Sequence, residues 1–375
     1  MTDPATPAGS SVRELRELTT LRVGGPADRV LEPASRDQLI AAALEMWSGV
    51  DDWLILGGGS NVVVSDDGVS GDVLHVVTRG ISARPHDDGT VHLLVEAGEP
   101  WDAVVAYAVE NGLAGIEALS GIPGSAGAAP IQNIGAYGQE LSGSLVAIDF
   151  LAFGTGEVQH LEARELGLGY RSSDLKRGRL GVVLGIELGL VASPDRLSNP
   201  VAHEQLAAAL GVELGTRVPV TDVRAAVLAL RRSKGMVLDA ADPDSVSAGS
   251  FFTNPIVSEN FARGLPSDAP RWPTDPERPP QLLPLGTAIP PAPASGEYLV
   301  KLSAAWLIER SGITRGFVLP GSGAAISSKH TLSIINTGAA TAHDIVQLAN
   351  YVQTRVMSEF GVMLQPEPVL VGVSL

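Results

Sequence analysis

Gly121 to Glu140 reads GIPGSAGAAPIQNIGAYGQE, and its poverty in side chains sets it apart from an ordinary core element. Each missing side chain forfeits buried apolar area and each glycine adds unfolded-state entropy, so such a stretch suits backbone that must lie against something flat or charged. Main-chain N–H groups can close there on phosphate oxygens, and a planar ring can rest on the chain. The plainer alternative is a tightly packed loop between strands. Gln132, Asn133 and Tyr137 weigh against it, because directional polar side chains among glycines suit the edge of a heterocycle. A second cluster, Gly57-Gly58-Gly59-Ser60-Asn61, lies between the apolar runs 53–56 and 62–64, as strand, glycine turn, strand. Neither stretch is G-x-G-x-x-G opening a helix or G-x-x-x-x-G-K-[ST]. Together they predict a dinucleotide held by loops instead of by one helix N-terminus.

The rest of the composition narrows the chemistry. Seven histidines show no H-x-x-x-H or H-E-x-x-H pairing, so no metal site is expected. No G-x-S-x-G elbow supports a hydrolase triad. The chain has no cysteine, which excludes disulfides, thiolate metal sites and a cysteinyl flavin link. A net charge of -16 argues against nucleic acid or an anionic membrane as partner, so an anionic ligand must be caught by a local cation cluster. MTDPATPAGSSVREL has no apolar core, and no run approaches the roughly 20 apolar residues that span a bilayer. A soluble, cytoplasmic protein is expected, with no membrane insertion.

The elements that must position these loops follow from pattern. At 375 residues the chain can hold two or three domains, and with aromatics at 5% its cores must rest on Ala, Val and Leu. Ser35 can cap a helix over 36–47, and with strands near 30 and 53 this makes a β-α-β unit. Strands are expected at 73–77, 91–97, 145–150, 182–190 and 331–336. Pro100 opens a helix over 101–111; Thr221 can cap another over 222–234, whose last turn carries Arg231, Arg232 and Lys234. Cations suit a helix C-terminus, and that role is assigned to the two arginines. Residues 265–295 read as an extended proline-rich surface loop without chemistry. Leu302 to Arg310 should be helical. Thr341 and Asp344 have capping-box spacing ahead of a long helix that Gly361 closes, and a strand should follow at 362–364.

LRVGGPAD from Leu21, GGGSN from Gly57, the Gly121 stretch, GYRSSDLK from Gly169, GSFFTNP from Gly249 and LQPEP from Leu364 resemble, in this order, the flavoenzyme family of UDP-N-acetylenolpyruvoylglucosamine reductases. The resemblance runs from about Thr19 to the C-terminus. It implies an α+β fold, with a two-lobed FAD-binding region of the PCMH/VAO type and a smaller α+β substrate-binding domain. The implied division is 1–80 for the first lobe, 81–235 with 361–375 for the second, and 236–360 for the substrate domain. It also implies non-covalent FAD, NADPH as electron donor and UDP-N-acetylglucosamine enolpyruvate as substrate, in a monomer that makes UDP-N-acetylmuramate for peptidoglycan.

The reaction so implied sets requirements. Hydride addition to a methylene carbon leaves negative charge on the adjacent carbon and its carboxylate, which calls for a cation and a donor nearby. Arg171 matches the family's catalytic arginine; its plainer role would be a surface pair with Asp174. Ser250 matches the proton donor, a weak acid sufficient for a strongly basic acceptor; its plainer role is capping a turn. Glu367 matches the third catalytic residue and is useful beside an anion only if protonated or paired. Cofactor contacts carried over are Arg22, Gly57 to Asn61, Gly121, Pro123, Gly124, Ser125, Ala126, Gly127, Asn133, Gly135, Ala136 and Tyr137. Substrate contacts are Gln132, Tyr170, Lys234, Asn254 and His330. Long-loop members carry a tyrosine that closes over the uridine diphosphate; here His203 stands near that point and is taken as its substitute. Rival readings are an oxygen-using flavin oxidase on the same fold and a nucleotide-binding protein without turnover.

Overall fold

The computed structural model describes residues 13–49, 52–87, 89–274 and 298–375. Near the N-terminus, Arg13–Glu14, Pro26–Leu31, Val69–His75 and Trp53–Leu56 form a sheet in that spatial order, the last three parallel. Parallel neighbours need a crossover, and helix Arg36–Gly49 supplies it. Ser35 starts that helix as expected, its hydroxyl accepting the Gln38 N–H at 3.3 Å. Leu39, Ala43 and Met46, spaced three and four apart, are fully buried. They join the core of the next sheet.

That larger sheet runs Val158–Glu162, Leu145–Ala152, Gly181–Ala192, Thr90–Glu96, Ile81–Pro85, antiparallel throughout. Its centre is Gly181–Ala192, the nearly continuous apolar run of the sequence, mostly buried between both neighbours. Helix Trp101–Glu110 packs Trp101, Val104, Val105, Ala108 and Val109 against the sheet's core, each of the larger aliphatic ones worth about 1.5–3 kcal/mol when fully buried. The glycine stretch then winds as a short 3-10 segment, Ala126–Gln132.

The remaining unit holds two three-stranded sheets, Ser247–Ser250 with Ser333–Asn336 and Ala324–Ile326, and Ile256–Ser258 with Leu299–Leu302 and Arg271–Pro273. Helix Ala342–Phe360 buries Ile345, Leu348, Ala349, Val352 and Val356. Its aspartate capping box makes both reciprocal bonds: Asp344 N–H donates to Thr341 Oγ1 at 3.1 Å and Thr341 N–H to Asp344 Oδ2 at 2.9 Å. Gly361, at φ 68°, ends it.

Several expectations need correction. The helix expected at 222–234 is Val220–Arg232, with Pro219 at its N-cap and Thr221 inside its first turn, because proline preorganises the entry more firmly than a threonine two residues on. No strand forms at 362–364. The C-terminal strand is Val369–Val371, parallel to Val62–Val64, so the tail pairs with the first lobe's range, while Glu367 just before it bonds Gln132 and Arg171 of the second's. Within the proline-rich stretch, Arg271–Pro273 is an edge strand on Leu299–Leu302, while 275–297 falls outside the described residues. Among the described residues no helix is long and apolar enough to cross a membrane.

Candidate active site

The two glycine segments meet. A Cβ on Gly57 would lie 2.5 Å from Ser125 Oγ, and one on Gly58 would lie 2.7 Å from Gly124 Cα. Ser60 Oγ donates to Pro123 O at 3.0 Å. Gly59 needs its glycine twice over: φ is +59°, and a Cβ would come within 1.9 Å of Leu18 O. Above this junction opens a cavity of about 280 Å³, floored by Gly57, Gly58, Gly124 and Ser125 and walled by Trp101 and Ile122. A floor nearly bare of side chains between apolar walls fits a flat ring system, the property required of a flavin site.

Arg171, Ser250 and Glu367 all line the same cavity. Arg171 sits with Tyr170 at the tip of a tight turn closed by the Gly169 and Ser172 main chains, and its φ of +51° is a left-handed conformation that costs a non-glycine residue of order 1–3 kcal/mol. Its guanidinium donates to Gly135 O at 2.7 Å and, more weakly, to Asn133 O at 3.4 Å. Its Nε stands 3.2 Å from Glu367 Oε1. The surface partner weighed from sequence goes elsewhere: Asp174 pairs with Arg177. Glu367 lies mostly buried, and desolvation raises its pKa despite the opposing pull of Arg171 and Lys176. It is therefore a carboxyl both paired and biased toward holding a proton.

Backbone pairing places Glu367 against the residues that follow Ser250. Glu367 N–H donates to Phe251 O at 2.9 Å, and Phe252 bridges Pro366. Asn61 and Gln132 amide nitrogens both donate to Glu367 O, at 3.2 and 3.0 Å. Gln132, expected at a substrate carboxylate, thus also anchors the segment that carries Glu367.

Some carried-over residues lie outside the lining. Asn133 is 1% exposed, and its amide is spent on Glu140 Oε2, Gly169 O and the Ser142 N–H. The Ala126 and Gly127 N–H groups go to Glu99 O and Ala97 O, and a Cβ on Gly127 would meet Ala97 Cβ at 2.5 Å, so these two serve packing. Arg22 is exposed, with φ +54°, outside the lining. Gly121 and Ala136 flank lining residues Ile122 and Gly135 without lining the cavity themselves.

Two polar clusters adjoin the cavity. In one, Lys234 Nζ donates to Gln205 Oε1 at 2.8 Å and lies 5.4 Å from the centre of the Tyr137 ring, which His203 meets edge-on at 5.5 Å. His203 Nδ1 accepts the Gln205 N–H and so caps helix Glu204–Leu210. Burial, then the charge of Lys234, lowers the pKa of both His203 and His330, the latter to about 4. Burial likewise lowers that of Lys234 itself. In the second, the Tyr170 ring lies between Arg171 Cζ at 5.5 Å and Lys301 Nζ at 5.1 Å. Asn254 bonds Tyr170 and accepts the Ala304 N–H.

Arg231 corrects the sequence reading most. It was assigned to the helix end; instead it is 7% exposed and lines the cavity with Met236. Its Nη2 donates to Met236 O, while its Nε is buried without a partner. Lys301, Trp101 and Gln205 were also not singled out. Trp101 was visible only as a helix start, and no sequence spacing reports a tertiary cation.

A two-lobed fold, a glycine floor and a paired arginine and glutamate at its edge define a flavoprotein whose cofactor lies between loops. The family model described as "FAD binding domain" matches residues 27–162, and that described as "UDP-N-acetylenolpyruvoylglucosamine reductase, C-terminal domain" matches 242–371. Curated proteins named UDP-N-acetylenolpyruvoylglucosamine reductase align along the chain. The one from Leifsonia xyli is 61% identical, covering 100% of both chains. The one from Saccharopolyspora erythraea is 47% identical, covering 100% of this chain and 98% of its own. The crystal structure of the enzyme from Thermus caldophilus superposes with a TM-score of 0.62 at 25% identity, over 97% of this chain and 99% of that one. The chain belongs to the UDP-N-acetylenolpyruvoylglucosamine reductase family, and is an oxidoreductase that uses FAD and NADPH.

Proposed function

We propose that this chain reduces the enolpyruvyl group of UDP-N-acetylglucosamine enolpyruvate to give UDP-N-acetylmuramate, a step of peptidoglycan precursor synthesis, with Arg171, Ser250 and Glu367 carrying the substrate chemistry. The observation that carries this reading is the convergence of these three residues, from three distant parts of the chain, on one cavity floored by both glycine segments. Bound FAD supplies hydride transfer, drawing on NADPH. The chain's own residues hold it: Gly57 to Asn61 and Pro123 to Ser125 offer main chain, and Trp101 and Ile122 offer apolar wall.

Arg171 presents a planar fork, preorganised by Gly135 O, to a substrate carboxylate whose negative charge grows as the double bond is reduced. Glu367, holding a proton or paired with Arg171, adds a donor or orients that fork without repelling the anion. Ser250 Oγ delivers the proton to the carbon next to the carboxylate. A hydroxyl is a weak acid, but the acceptor is a strong base and the strand pairing of Ser250 fixes its place. Lys234, beside the uncharged imidazoles of His203 and His330, supplies the local cation that an acidic chain needs for a diphosphate, and Tyr170, bonded to Asn254, lies beside Arg171. All three chemical residues come from one chain, which supports a monomer as the working unit. The absence of cysteine and the acidic composition agree with a cytoplasmic location.

The test is the absorbance spectrum of the purified protein: bound oxidised flavin, bleached by NADPH and restored on adding the enolpyruvyl nucleotide under anaerobic conditions. Recovery only on admitting air would overturn the reading.

A further inference from the structure

Of the charged groups on the cavity wall, Arg231 is the one left without a carboxylate. The nearest candidate, Asp102, is taken: its two oxygens accept from Arg224 at 2.7 and 2.9 Å, and Oδ1 also accepts the Gly121 N–H at 2.6 Å. Glu367 is taken by Arg171. A guanidinium carries five N–H donors, and among the described residues that of Arg231 makes one hydrogen bond, to Met236 O. Its Nε is buried and unpartnered. Desolvation pulls its pKa down to about 10, so burial works against the charge without removing it at neutral pH. Burying a cation without a carboxylate to offset its lost hydration is unfavourable, which marks Arg231 out among the groups of the cavity.

We propose that Arg231 is a positioning residue for the redox chemistry of the bound flavin: its fixed charge offsets the negative charge that the ring acquires on reduction. This deepens the proposed function and rests on its flavin site. A diphosphate is the other anion available, from the cofactor or from either nucleotide. The wall argues for the ring. Arg231 shares it with Trp101, Ile122 and Met236, and the side chain is held nearly out of solvent, whereas a hydrated diphosphate is matched by the partly exposed Lys234. The aliphatic stem of Arg231 also lies against the glycine stretch itself, since a Cβ on Gly121 would lie 3.6 Å from Arg231 Cδ.

The experiment uses the FAD-loaded full chain and three variants, Arg231→Lys, Arg231→Gln and Arg231→Met. Three equilibrium readouts are independent of turnover: the midpoint potential of the bound flavin, the Kd for sulfite, whose addition also leaves negative charge on the ring, and the Kd for FAD. The expected result is a tenfold or greater loss in the equilibrium constant for reduction in the Gln and Met variants, about 30 mV downward per tenfold for a two-electron couple. Sulfite affinity falls in parallel, FAD affinity changes less than threefold, and Arg231→Lys retains most of both. A large loss of FAD affinity with potential and sulfite binding unchanged would reassign Arg231 to a diphosphate and overturn the proposal, as would no change in any readout. If Arg231→Met does not fold, the Lys and Gln variants carry the same comparison. Wild-type protein that binds no flavin would instead overturn the underlying flavin site.

Discussion

Glu367 bonds Phe251, the residue after Ser250, yet of Ser250 and Glu367 only one needs to move a proton. If Ser250 is the donor, Ser250→Ala leaves reduction of the flavin by NADPH near the wild-type rate. It slows reoxidation by the enolpyruvyl substrate roughly 10²–10⁴-fold, the usual worth of a positioned acid. Stopped-flow traces of the two half-reactions decide it, and equal slowing of both would return Ser250 to a structural role. His330 gives a prediction of opposite kind, about stability. Its pKa in the fold is lowered to about 4 by burial and by Lys234, against an ordinary value near 6.5. Below 6.5 the unfolded chain takes up a proton that the folded chain refuses, so stability is lost as pH falls from about 6.5 toward 4. His330→Gln removes that contribution. Its melting temperature should decline less than the wild type's between pH 7 and pH 4.5, and parallel curves would show that His330 does not resist protonation.

At the scale of elements, the contact between the glycine turns is the structural premise of the cofactor site. Gly58 has no positive φ, so alanine there is not a backbone problem; its Cβ would simply collide with Gly124 Cα at 2.7 Å, a main-chain atom that cannot swing away. Gly58→Ala should therefore part the two segments and weaken FAD at least tenfold, about 1.4 kcal/mol, with the far-ultraviolet spectrum intact. Gly143, with nothing within 4 Å of an added Cβ, is the matched control. Unchanged FAD titrations for both variants would show that the turns tolerate separation. These turns were legible in the sequence because glycine density is a local signal. So were the helices with a 3.6 period and a cap, such as Arg36–Gly49 and Ala342–Phe360. Arg231 and Lys301 were not, because a helix-end arginine and a strand lysine look alike in sequence whether they face solvent, a cavity or an aromatic ring. Asn133 shows the other direction: a polar side chain among glycines suggests a ligand contact, and here it also bonds the loop's own main chain.

For the molecule as a whole, the question is how a residue near the C-terminus is fixed against a site built mainly from the first half of the chain. Val369–Val371 answers it by adding a parallel strand beside Val62–Val64, directly after the Gly57–Asn61 turn. Val369 N–H donates to Asn61 O at 2.9 Å and Ser65 N–H to Val371 O at 2.8 Å, while Asn61 and Gln132 hold Glu367 O from the other side. The strand expected at 362–364 was displaced along the chain because periodicity marks apolar residues and not the register that pairs them. Ending the chain after Pro368 keeps Glu367 but removes the strand that fixes it. The shortened protein should still bind FAD and be reduced by NADPH, since the glycine turns contact each other without the tail. Its reoxidation by the enolpyruvyl substrate should slow at least tenfold, because a misplacement of about 1 Å at an oriented group costs on the order of 10²-fold. Half-reactions measured on the truncated chain check this, and wild-type reoxidation would show that Glu367 is held by its own turn and that the returning strand serves stability alone.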